Sequence, residues 1–210
     1  MRNHVVYAQI DEALRAGGLD SVGGGWRGSG RMWKEDGSGC FLYIDKQDIP
    51  YNFQQTCKNM WRVKRMPLWE GKQELFTGVS DPENTMVFKF RVQMRQPYSV
   101  KIQFLQRVVV VRRYEEQGRM ILIWRTLAEG DGIFAGMHAD ETGWSVVTPS
   151  TGTSKPETVL RVCIRHIPMN LRSVRSCQPR PRLFTTMVLD NGTDEASKFA
   201  LTLEKLLHEE

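Results

Sequence analysis

The chain has 210 residues, 40% of them hydrophobic and 25% charged, with a formal net charge of +5. That length can bury a full core in one domain, and the composition is ordinary for a soluble globular protein. No apolar run approaches the ~20 residues of a membrane helix. Met1-Arg2-Asn3-His4 has no apolar signal core, and Cys40, Cys57, Cys163 and Cys177 are scattered without a CxxC pair, which argues against a secretory leader and a disulfide framework. An intracellular, cytoplasmic protein is expected, with free thiols. The mild basicity permits contact with anionic membrane or nucleic acid without demanding either.

Residues 1–19 read as an N-terminal extension and residues 20–210 as the main domain. The extension holds one short helix, Ala8 to Ala16, with Ile10, Ala13 and Leu14 on one side and Gly17-Gly18 as its stop. Gly23-Gly24-Gly25 opens a connector rather than a phosphate loop, because the GxxxxGK[ST] pattern is absent and no helix follows. Trp26 to Lys34 and Cys40 to Ile44 are predicted strands around the turn Glu35 to Gly39. A helix is predicted over Asp48 to Trp61, capped by Asp48, with Pro50 in its first turn and Ile49, Phe53, Cys57, Met60 and Trp61 as its stripe. Pro67 ends any continuation. Leu68 to Ser80 has a mixed pattern that assigns no element.

From Thr85 to Arg95, Met86, Phe88, Phe90, Val92 and Met94 alternate with polar and charged residues, which predicts a strand with one dry face. Tyr98 to Tyr114 and Arg119 to Ala128 follow as strands separated by the turn Glu115 to Gly118, and short turns make an antiparallel meander the natural pairing. Glu129 to Thr142 reads as a loop. Trp144 to Thr148, Thr158 to Ile167 and Arg182 to Leu189 are further predicted strands. Asn170 to Pro181 is a basic loop.

The last predicted element is a helix from Thr193 to Glu210. Ala196, Phe199, Ala200, Leu203, Leu206 and Leu207 form its apolar stripe, Asn191-Gly192 is the turn before it and Thr193 its cap. A run of strands flanked by helices indicates an α+β domain with helices on one face of the sheet. A curved antiparallel sheet wrapped around the C-terminal helix covers both apolar surfaces, which is the helix-grip fold.

Ile123-Trp124-Arg125-Thr126-Leu127-Ala128-Glu129-Gly130-Asp131-Gly132, followed by Gly136-Met137-His138-Ala139-Asp140-Glu141-Thr142-Gly143-Trp144-Ser145-Val146-Val147, resembles START-like proteins of oomycetes, the mating-specific protein family. The resemblance covers residues 119–167. The layout of residues 20–210 is more distantly similar to StAR-related lipid transfer domains. The resemblance implies a helix-grip fold with an apolar cavity under the last helix, and hence a lipid or other hydrophobic small molecule as ligand.

Strand parity names the lining of such a cavity. It comprises Phe88, Phe90, Val92 and Met94, then Met120, Leu122 and Trp124, then Trp144 and Val146, then Leu160, Val162, Ile164 and His166, with Phe199 and Leu203 from the helix. The same residues could equally interdigitate into a closed core, leaving an interaction module without a ligand. His138-Ala139-Asp140-Glu141, with Glu129 and Asp131, reads as a solvated loop or a lid hinged at Gly130, Gly132 and Gly136. An enzyme gains weight only if Asp140 or Glu141 faces inward toward His166. Cys163 and His166 are three apart on one strand and so point to opposite faces, which removes them as a nucleophile pair. Arg172, Arg175, Arg180 and Arg182, with Arg161 and Arg165, suggest a solvated face first, peripheral contact with anionic membrane second, and nucleic acid third. No catalytic residue, metal site or cofactor is expected.

Overall fold

Period-two runs in the sequence become strands that pair with their chain neighbours at every step but one among the described residues. The computed structural model describes residues 3–19, 30–34, 39–67, 73–94, 103–150, 157–169 and 179–209. Helices α1 (Asn3–Ala8) and α2 (Ile10–Ala16) precede β1 (Arg31–Lys34) and β2 (Phe41–Ile49). Helix α3 (Phe53–Arg65) is followed by β3 (Gln73–Leu75), β4 (Thr85–Met94), β5 (Gln103–Glu116), β6 (Arg119–Gly130), β7 (His138–Pro149), β8 (Thr158–Met169) and α4 (Pro179–Glu209). The strands form one open sheet in the order β1-β2-β8-β7-β6-β5-β4-β3, antiparallel at every step. With the 31-residue α4 lying on it, this is a helix-grip fold. At the predicted β5–β6 turn, Gly118 takes φ +82°, a conformation that a residue with a Cβ rarely adopts.

One face of the sheet packs on α3 and α4. Phe90, Val92, Leu105, Val109, Met120, Leu122, Trp124 and Leu160 meet Met60 and Val63 of α3 and Phe184, Met187, Leu203 and Leu207 of α4. The other face is also covered, contrary to the expectation of helices on one side. Val6 of α1, Ile10 of α2 and Leu19 pack on Leu42, Ile44, Ile121, Ile123, Trp144, Val146 and Cys163. The Trp144 indole donates to the Val6 carbonyl at 2.9 Å.

Trp144 and Val146 therefore lie outside the grip, and their placement in its lining is corrected. Trp144 stands opposite Ile123 and Cys163, whereas Gly143 and Ser145 stand opposite Trp124 and Leu122 on the inner face. Both faces of β7 are buried, so its apolar alternation does not indicate which one faces α4.

Three boundaries also shift. The predicted strand Arg182 to Leu189 is the first part of α4: Phe184, Met187, Val188 and Asn191 are buried at helical spacing, and tertiary packing overrides the β propensity of the Thr/Met/Val run. The helix continues through Asn191-Gly192. Thr193 donates back to the Leu189 carbonyl at 3.1 Å instead of capping. Asp48 and Ile49 remain in β2, paired with Val159 and Thr158. The α3 cap is Asn52, whose side chain accepts from the Gln55 amide at 2.8 Å. Finally, Asp140 to Thr142 belong to β7, and only residues 131–137 connect it to β6.

Candidate functional site

On β5 the inward positions are Leu105, Arg107, Val109 and Val111, which places a guanidinium on an otherwise apolar face. Arg107 is 3% exposed. Its Nη2 lies 3.2 Å from Glu141 Oε2 on β7, and its Nη1 lies 2.5 Å from Glu195 Oε2 and 3.1 Å from Asn191 Oδ1, both on α4. Two strands and the last helix are thus joined by one side chain. The other Glu141 oxygen accepts from the Trp124 indole at 2.7 Å and the Thr126 hydroxyl at 3.3 Å. Burial alone would raise the Glu141 carboxyl. Arg107, with His166, Trp124 and Lys64, outweighs burial and holds it below the usual carboxylate range.

Glu141 does face inward toward His166, with Oε2 at 3.5 Å from Nδ1. The arrangement nevertheless suits a structural anion better than a base, because both carboxylate oxygens are occupied by donors. His166 is 1% exposed, and among the described residues neither ring nitrogen has a hydrogen-bond partner. It packs beside Gly192 of α4, where an added Cβ would come within 3.0 Å of the imidazole Cε1. Helix α4 tolerates a mid-helix glycine there despite a cost of about 1 kcal/mol relative to alanine.

Burial pushes the imidazole pKa down from 6.5; Glu141 opposes that shift and Arg107 adds to it. The unfolded chain therefore takes up a proton that the folded chain refuses, and stability falls as pH drops below 6.5. Melting temperature should fall between about pH 7.5 and about pH 5.5, with a shallower slope in His166→Gln. Equal slopes for the two proteins would contradict this assignment.

Beside the network is a cavity of about 60 Å³ between β2, β8 and α4. Its apolar wall is Leu160, Val162, Ile164, Ala196, Phe199 and Ala200. Its polar wall is Tyr43, Asp45, Gln47, Lys64, Glu141, Ser145 and Glu195. The Gln47 amide donates to Asp45 at 2.7 Å, and burial, with Asp45, pushes the Tyr43 phenol up to about 12. Lys64, from the last turns of α3, holds its ammonium 4.5 Å from the Trp124 ring centre and 4.7 Å from that of Phe199.

Of the residues named from sequence, Trp124, Leu160, Val162, Ile164 and Phe199 border this cavity. Phe90, Val92, Met120, Leu122 and Leu203 are buried in the core beyond it, with Phe88 packed at its edge. His166 stands behind the network, and the Met94 side chain lies outside the described residues. Sequence reasoning missed Arg107, Lys64, Asp45 and Glu195, although parity gives Arg107 and a four-residue step from Met60 gives Lys64. Arg172 and Arg175 lie outside the described residues, while Arg180 is exposed in the first turn of α4. Among the described residues no group of three or more His, Cys, Asp or Glu could hold a metal ion, and no helix is long and apolar enough to cross a membrane.

No family model matches the chain, and no curated protein sequence matches it. Among solved structures it is similar to the human StarD13 (DLC2) lipid transfer and protein localization domain, at 10% identity and a TM-score of 0.49, over 95% of this chain and 96% of that one. Human STARD10 is similar at 9% identity and 0.46, over 93% and 80%. A conserved protein from Geobacillus kaustophilus is similar at 11% identity and 0.44, over 80% and 95%.

Proposed function

We propose that this chain is a non-enzymatic binding domain that holds a lipid or other hydrophobic small molecule, with a polar end, between its sheet and α4. The observation that carries the reading is the cavity under α4, with one apolar wall and one wall of ionisable and amide groups. Such a lining orients a guest by a few placed polar contacts while its body leaves water. The resemblance of residues 119–167 to START-like oomycete proteins agrees with it. Contact with an anionic membrane through Arg172, Arg175 and Arg180 belongs to the same reading.

The volume of about 60 Å³ is room for roughly four waters, well below the ~300–1,000 Å³ of drug-sized sites. A compact guest fits as the cavity stands, and a long-chain one requires side chains of α4, Phe199 first, to move aside. That size also favours a second reading, an interaction module with a filled core. Native mass spectrometry of gently purified protein separates the two. A co-purifying small molecule that is released on denaturation supports the binding domain. A bare chain whose melting temperature is unmoved by fatty acids, sterols and short amphiphiles supports the filled core.

A further inference from the structure

Lys64 is a cavity group whose chemistry is incomplete among the described residues. The two aromatic faces flanking its ammonium answer its charge but offer no acceptor to its three N–H donors. The carboxylates whose charge reaches it, Glu195 and Glu141, are both bonded to Arg107. Among the described residues neither forms an ion pair with Lys64. Half-buried donors left in this state are completed by water or by a guest, and an acceptor oxygen arriving with an apolar body leaves no donor unmet.

We propose that Lys64 is the head-group anchor of the site and that the guest presents it an acceptor oxygen, carboxylate foremost and carbonyl next, with its hydrocarbon against Leu160, Val162, Ile164 and Phe199. This rests on the binding reading above. Three features at Lys64 favour an acceptor oxygen over an amine, against the like charge of Asp45 on the same polar wall. An amine would meet the ammonium with like charge and bring no acceptor. A carboxylate would favour the charged form of Lys64 that burial disfavours, the effect of an opposite charge at hydrogen-bond distance. Arg107 does not compete, because Glu141, Glu195 and Asn191 occupy it.

The test uses short-chain probes, which exceed the room for about four waters and so enter with a shift of Phe199: pentanoate, 2-pentanone and pentylamine, titrated calorimetrically into the full chain and into Lys64→Met. The expected order is pentanoate, then 2-pentanone, then pentylamine, with at least a tenfold gap between first and last that vanishes in Lys64→Met. The two oxygen probes separate charge from hydrogen bonding alone. Should the variant fail to fold, lysine side-chain ¹⁵N spectra of the wild type decide, since pentanoate should slow exchange of the Lys64 ammonium protons. Pentylamine binding as tightly as pentanoate, a gap unchanged in Lys64→Met, or ammonium exchange untouched by pentanoate overturns the anchor. Binding of all three probes with equal strength removes the anchor and leaves the binding domain standing. Binding of none removes both.

Discussion

Arg107→Met should destabilise the fold by about 3–5 kcal/mol, the usual consequence of removing one partner from a buried ion pair. At about 2–4 °C of melting temperature per kcal/mol for a domain of this size, the shift is plain in a thermal melt. The loss comes less from the attraction removed than from what remains. Glu141, 8% exposed, would lie in the interior with only Trp124 and Thr126 as donors, and Glu195 would lose the contact that ties α4 to the sheet. Arg107→Lys should lie between the two proteins, because one ammonium cannot span both carboxylates as the planar fork does. Adding Glu141→Gln to Arg107→Met should recover part of the loss, since the stranded charge goes with it. Additive losses in the double variant would mean that the two residues do not act as a pair.

Gly143→Ala should cost about 3 kcal/mol, summing overpacking with loss of a charge-assisted hydrogen bond. The backbone of Gly143 does not need a glycine conformation; the space does. A Cβ at that position would come within 2.0 Å of Cε2 in the Trp124 ring, which lies across the strand. Trp124 sits directly opposite in the ladder and cannot yield without giving up its bond to Glu141 and its face to Lys64. Urea denaturation followed by circular dichroism measures the loss, and a midpoint within error of wild type would show that the ring is free to turn away.

The layers of the fold were legible because β4 carries a clean alternation, a short turn joins β5 to β6, and α4 carries its stripe to the end. What was not legible has a common cause. β7 is buried on both sides, so Trp144 looked as fit for the inner face as Ser145, and only the register against Trp124 separates them. The first half of α4 holds Phe184, Met187 and Val188 at a spacing that a short strand pattern can imitate. Glu141 looked solvated because its neighbours Glu129, Asp131 and Asp140 are polar. Its partner Arg107 is 34 residues away, and the pairing exists only once β5, β6 and β7 are in register.

The cavity was partly legible for the same reasons. Its apolar wall follows from the parity of β8 and the stripe of α4. Its polar wall required that Tyr43, Asp45 and Gln47 on β2 be set beside Ile164, Val162 and Leu160 on β8, a pairing between strands more than a hundred residues apart.

Whether a guest sits between the sheet and α4 is tested most directly by methyl-labelled NMR during a pentanoate titration. The expected shifts are confined to Leu160, Val162, Ile164, Ala196 and Ala200, with contacts from the guest's protons to those methyls. Shifts centred on Ile121, Ile123 and Val146 on the opposite face, or none at saturating pentanoate, would contradict it.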